Sequence, residues 1–92
     1  MKRFCWDVKK NERLKAERGI TFEEVVSGIE RGGVLDIMEH PNQDRYGGQR
    51  LFVLDIRDYA YPVPFIETEG EVILKTAIPS RKATRKHLRG GS

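Results

Sequence analysis

The stretch Ile20-Thr21-Phe22-Glu23-Glu24-Val25-Val26-Ser27-Gly28-Ile29 decides the fold, because it predicts the amphipathic helix that the rest of the chain must accommodate. Thr21 is a favoured N-cap residue, and Glu24 three positions later completes the pattern of a capping box. Ile20 and Val25 stand at the positions of a hydrophobic staple. The apolar residues recur at i, i+3, i+4 and i+7, and they are Phe22, Val25, Val26 and Ile29. One face of this helix is therefore expected to be buried against a sheet, with Gly32-Gly33 closing the helix.

The residues before this helix predict a strand and another helix. Arg3-Phe4-Cys5-Trp6 is short and rich in aromatic side chains, which favours a strand. Asp7 is a good N-cap, residues 8–18 are mostly strong helix formers, and Gly19 suits the position just past a helix end. We therefore predict a helix over residues 8–18.

The residues after the long helix predict four strands joined by turns. Their predicted ranges are Val34 to Glu39, Gln49 to Arg57, Tyr59 to Glu67 and Glu71 to Ile78. Arg57-Asp58 is a tight connection between two of them. Pro62 and Pro64 are two residues apart, so their missing N–H groups fall on one side of the third strand. That side is expected to be an edge or to be irregular.

A last, short helix is predicted after the strands. Pro79 ends the final strand because proline cannot donate to a ladder, and Ser80 is a good N-cap. The order is therefore β-α-α-β-β-β-β-α in one α+β domain over residues 1–89, with residues 90–92 a disordered tail. The short connections predict an antiparallel meander with the two N-terminal helices packed on one face and the other face available.

Composition limits the classes of function. The single cysteine, Cys5, allows no internal disulfide, and the two histidines form no metal signature, so we expect no metal and no cofactor. No apolar run is long enough to span a membrane, and we expect a cytoplasmic protein. Residues 1–71 carry eleven Lys/Arg and fourteen Asp/Glu, whereas residues 72–92 carry six Lys/Arg and no carboxylate. This asymmetry indicates a polyanionic partner, with nucleic acid the first candidate.

The cations are the main candidates for chemistry. In-line cleavage of RNA needs a base for the 2′-OH, cations for the charge on phosphorus, and an acid for the leaving oxygen. Arg57, Arg81 and Lys82 are predicted to stabilise that charge, because arginine forks match phosphate oxygens. The base and acid stay open among His40, Tyr59, Glu39 and Lys75, and we favour Lys75 or His40. Further contacts to RNA are expected from Arg50, Tyr59, Arg85 and Lys86.

Three segments together resemble one known family. They are Phe4-Cys5-Trp6-Asp7 with Lys10, Glu17-Arg18-Gly19-Ile20-Thr21-Phe22-Glu23-Glu24-Val25, and Ile78-Pro79-Ser80-Arg81-Lys82-Ala83-Thr84. In this order and spacing they resemble the BrnT toxins, the small RelE-like ribonuclease toxins of bacterial type II toxin–antitoxin modules. The resemblance extends over about residues 4–85. It departs at Glu17-Arg18-Gly19, where the family commonly has Lys-His-Gly.

The resemblance implies a RelE-like fold and metal-independent cleavage of mRNA that arrests translation. It implies a ribbon-helix-helix antitoxin partner, whose extended part covers the active face in a toxin–antitoxin hetero-oligomer. By position in the motif, Arg81 and Lys82 are active-face residues. The alternative from another class is a non-catalytic module that binds nucleic acid or an acidic protein through the basic last helix.

Overall fold

The computed structural model describes residues 2–89 of the 92-residue chain. The elements in chain order are β1 (Arg3–Cys5), α1 (Val8–Arg18), α2 (Phe22–Glu30), β2 (Val34–Glu39), β3 (Arg50–Ile56), β4 (Tyr59–Glu67), β5 (Glu71–Leu74) and α3 (Arg81–His87). The protein is therefore of the α+β class, as predicted. The tail predicted over residues 90–92 lies outside the described residues.

The five strands form one mixed sheet in the order β1-β5-β4-β3-β2. Strands β2 to β5 form the expected antiparallel meander, with short connections between neighbours. The antiparallel pairing does not extend to β1, which pairs in parallel with β5, Phe4 lying opposite Val72, so the sheet is mixed rather than wholly a meander. A parallel neighbour requires a long crossover, and the chain from α1 to β4 provides it.

Helix α2 packs across β3 and forms the main core. Phe22 and Val25 are fully buried, and Val26 and Ile29 pack against the buried cluster, so the predicted apolar stripe is confirmed. Gly28 allows the close approach, since a Cβ there would lie 3.3 Å from Leu54 Cδ2. Only half of the predicted capping box forms. The Glu24 N–H donates to Thr21 Oγ1 at 3.1 Å, but the Glu24 carboxylate accepts a hydrogen bond from Arg57 instead.

The two prolines of β4 decide where β5 ends. β4 is a central strand, so the edge that Pro62 and Pro64 could have marked is ruled out, and the irregular alternative is confirmed. The N–H groups of Lys75, Ile78 and Ser80 donate to the carbonyls of Pro64, Pro62 and Ala60. Neither proline can donate in return, so the ladder is one-sided there. This explains why β5 ends at Leu74 rather than at Ile78 as predicted.

The residues after β5 contain a bulge. Lys75 lies opposite Pro64 and Ile78 opposite Pro62, so three steps of this segment match two steps of β4. The extra residue shifts the segment relative to β4 before Ser80 caps α3, with its hydroxyl accepting the Ala83 N–H at 3.0 Å.

The sheet face opposite α2 is less open than expected. Leu51 and Val53 alternate along β3 with the core residues and therefore point to this opposite face. They are nevertheless only 8% and 2% exposed, so the prediction of an available face is wrong at these positions. The last helix stays on the sheet as well, because α3 packs against β4.

Candidate functional site

An open groove of about 620 Å³ lies between α1, the loop after β2 and the segment that follows β5. Its lining residues come from three distant parts of the chain: Lys10, Arg13, Leu14, Glu17 and Arg18 from α1, His40, Tyr46 and Gln49 from the loop, and Pro64, Lys75, Thr76 and Ile78 from the sheet and its continuation. We call this concavity the groove. The α1 residues recur at i, i+3, i+4, i+7 and i+8, so one side of that helix faces it.

The groove is positively charged. Lys10, Arg13, Arg18 and Lys75 line it together with one carboxylate, that of Glu17. None of these four cations forms an ion pair with another residue in the 2–89 range. Like charges that line one concavity raise the local potential and attract anions. The groove is therefore suited to an anionic ligand.

A hydrogen-bonded loop fixes the position of His40. The His40 N–H donates to the Gln49 carbonyl, and the Gln43 side chain donates to the carbonyls of both His40 and Gln49. The imidazole packs on the Tyr46 ring with centroids 4.4 Å apart. The Arg45 guanidinium lies over the Tyr46 ring, 5.4 Å from the ring centroid. His40 is thus held in the groove wall by hydrogen bonds and ring contacts within its own loop.

The contacts of His40 restrict its role in proton transfer. Its Nδ1 accepts a hydrogen bond from the Asn42 N–H at 3.1 Å, which requires a lone pair on that nitrogen. A neutral imidazole then carries its proton on Nε2 and can donate there. In this conformation His40 is suited to donate a hydrogen bond, and it is poorly suited to act as a base through Nε2.

Two of the predicted cations are paired with carboxylates on the surface. Arg57 donates to Glu24 at 3.0 Å, and Arg50 pairs with Glu67 while its guanidinium lies over the Phe65 ring. A hydrogen bond from Lys2 and the nearby charge of Arg50 hold the pKa of Glu67 below its ordinary value. Arg50 and Arg57 are therefore already engaged, and neither lines the groove.

The cations of α3 form a separate site. Arg81, Arg85 and Arg89, together with Tyr59 and Thr84, line a second depression of about 460 Å³, which we call the arginine cluster. Lys82 and Lys86 are exposed on the same helix and line neither concavity. The Arg57–Asp58 turn that precedes Tyr59 has both residues at positive φ, 55° and 64°, which non-glycine residues seldom adopt.

The predicted site residues are thus divided rather than assembled. Lys75 and His40 line the groove, Arg81, Arg85 and Tyr59 line the arginine cluster, and Arg50 and Arg57 lie in ion pairs elsewhere. Arg81, Lys82, Arg57 and Lys75 do not share one concavity. Lys75 lies opposite Pro64, whereas Ser80, the residue before Arg81, lies opposite Ala60 farther along β4. Residues 10, 13, 17 and 18 were missed. Their shared helical spacing beside Leu14, the one buried residue of α1, was the available signal.

Residues 2–89 contain no group of three or more His, Cys, Asp or Glu side chains that could hold a metal ion. Across the same residues, the helices are too short and too polar for any to span a bilayer. Comparison with protein-family models finds no matching family, and comparison with curated proteins finds no similar sequence.

Proposed function

We propose that this protein is a small RNA-cleaving toxin of a type II toxin–antitoxin module, with a RelE-like fold, and that the groove is its reacting site. The single observation that carries the proposal is the convergence of four unpaired cations, one carboxylate and His40 in one open concavity. RNA offers the repeated negative charges that such a lining attracts. The resemblance to the BrnT toxins supports the same substrate. Where that family commonly has Lys-His, this chain has Glu17-Arg18 on the groove wall, so no imidazole is supplied from that position.

The groove residues support a cleavage without a metal step. The 2′-oxygen attacks phosphorus, the bond from phosphorus to the 5′-oxygen breaks, and the products are a 2′,3′-cyclic phosphate and a 5′-hydroxyl. Glu17 is the one carboxylate in the lining, and it accepts the 2′-OH proton in this scheme. Lys75 and Arg18 stabilise the extra charge on the phosphate oxygens. The leaving 5′-oxygen takes a proton from water or from Lys75. His40 donates a hydrogen bond within the groove.

The test is cleavage of RNA by the purified protein in the presence of a chelator, with analysis of the end groups. Glu17→Gln should lower the rate by about 10²-fold or more, as loss of a general base does. Lys75→Met should lower it by a similar factor of roughly 10². Glu12→Gln, on the same helix but outside the groove, is the matched control and should keep full activity. Equal rates for Glu17→Gln and Glu12→Gln would remove the groove from the mechanism.

The proposed partner is a ribbon-helix-helix antitoxin in a hetero-oligomer, and the proposed location is the cytoplasm. Expression of the protein alone should arrest growth, and co-expression with the product of an adjacent ribbon-helix-helix reading frame should restore it. Normal growth in the absence of that partner would argue against a toxin.

A second candidate is a non-catalytic module that binds RNA through the same groove. It is favoured by the small number of groups in the groove that could act as a base, because the Asn42 N–H occupies the lone pair of His40 Nδ1 and Glu17 is the one carboxylate in the lining. RNA binding that weakens steeply with salt, without any strand scission in the assay above, would select this alternative.

A further inference from the structure

The arginine cluster lies on a helix, α3, that is hydrogen-bonded to strand β4. Thr84 is 4% exposed, and its hydroxyl accepts the Ala60 N–H at 2.9 Å and donates to the Ser80 carbonyl at 2.8 Å. The bond from Ala60 joins α3 to β4, whereas the bond to Ser80 lies within the first turn of α3. Tyr59 stands on the same strand, with its ring edge-on to Tyr61 and the centroids 6.0 Å apart. An aromatic ring and a fixed helix therefore lie beside the three guanidinium groups.

The cluster has no local counter-charge. Residues 72–92 contain no carboxylate, and within residues 2–89 none of the α3 cations forms an ion pair. Arg81 and Arg85 are four residues apart on one helix, so their like charges repel each other. An anionic ligand removes this repulsion.

We propose that the arginine cluster is a second RNA-binding site, which holds the phosphate backbone of the substrate away from the scissile bond and stacks a base on Tyr59. This inference rests on the proposed function for the identity of the ligand. Arginine forks bind phosphate oxygens in pairs, and a neighbouring aromatic ring provides the sequence-tolerant stacking found in proteins that bind single strands. No residue lines both the cluster and the groove, so the two sites bind different nucleotides of one strand.

The first test measures binding of a fluorescent 2′-O-methyl RNA, which cannot be cleaved, over a range of salt concentrations. The double variant Arg85→Gln with Arg89→Gln should bind roughly tenfold more weakly for each arginine removed. The slope of log K against log salt should fall by about 0.7 for each lost phosphate contact. The control variant Lys9→Gln with Arg31→Gln removes the same charge outside both sites and should keep the slope. An unchanged slope in the arginine variant would overturn the inference.

The tyrosine and the choice of ligand are tested separately. Tyr59→Phe keeps the ring and should bind RNA normally, whereas Tyr59→Leu should weaken binding roughly tenfold, within the range for one base stacked on an aromatic side chain. If the arginine variant loses binding to duplex DNA or to polyglutamate while its affinity for RNA is unchanged, the cluster serves another macromolecule and the inference fails.

Kinetics separate this inference from the proposed function. The arginine variant should raise KM and leave kcat unchanged on a long RNA, because the cluster does not touch the reacting atoms. RNA binding that depends on the cluster in a protein that never cleaves RNA would contradict the proposed function alone. Cleavage that depends on Glu17 with RNA affinity equal in the arginine variant and its control would contradict the second site alone.

Discussion

The buried hydroxyl of Thr84 should be one of the most important polar groups for stability. It pairs with the N–H of Ala60, which lies in the β4 segment where the ladder with β5 has ended. Thr84→Val keeps the shape of the side chain and removes only the hydroxyl that accepts the Ala60 N–H. Threonine and valine also have similar helix propensity. In this variant the Ser80 carbonyl still accepts the hydrogen bond from the backbone N–H of residue 84, which is 3.0 Å long with Thr84. The Ala60 N–H is therefore the single donor left unsatisfied.

An unsatisfied buried donor costs about 1–3 kcal/mol, and a domain of this size loses roughly 4–8 °C in Tm for each kcal/mol. We therefore expect Thr84→Val to lower the free energy of unfolding by about 2 kcal/mol. Urea unfolding followed by circular dichroism measures this loss, with an unchanged m value as evidence that the same surface is exposed. Thr84→Ser is the matched control, since it keeps the hydroxyl and loses one methyl group, worth about 0.8 kcal/mol. A valine variant at least as stable as the serine variant would refute the role assigned to this hydrogen bond.

Three further predictions concern the core, the β3–β4 turn and the response to acid. Leu54→Ala removes a fully buried side chain beneath Gly28 and should lower the free energy of unfolding in urea by about 2–5 kcal/mol. Asp58→Gly places glycine at a φ of 64° and should raise the melting temperature, corresponding to a gain of roughly 0.5–1 kcal/mol from relieved backbone strain; a lower melting temperature would contradict this. Hydrogen bonds from the N–H groups of Lys10 and Lys9 lower the pKa of Asp7, so its stabilisation is present above the ordinary carboxyl pKa and is lost as the pH falls through the lower, folded pKa. Asp7→Asn should therefore make the free energy of unfolding fall less steeply with decreasing pH below the ordinary carboxyl range. Urea midpoints measured across acidic pH test this, and the same pH dependence in the variant and the unchanged protein would contradict it.

Local sequence signals predicted α1, the starts of α2 and α3, and two strands at their observed bounds. Asp7 and Thr21 cap α1 and α2 as expected, and Gly19 ends α1 in the left-handed conformation. β2 and β4 also begin and end where their composition and turns indicate. These features depend on residues a few positions apart, so the chain encodes them without reference to the rest of the fold.

Long-range contacts decided the rest. The parallel pairing of β1 with β5 joins residues 3–5 to residues 71–73, and no local pattern distinguishes it from an antiparallel edge. The sequence by itself determined the basic last segment, the caps and the amphipathic α2. Only the tertiary structure decided that Lys75 and Arg81 lie in different concavities, and that Lys10, Arg13, Glu17 and Arg18 meet His40 across a groove. The physical reason is that the segment after β5 runs along β4 from Pro64 to Ala60, which separates Lys75 from Arg81, and that the groove joins side chains from segments far apart in the chain.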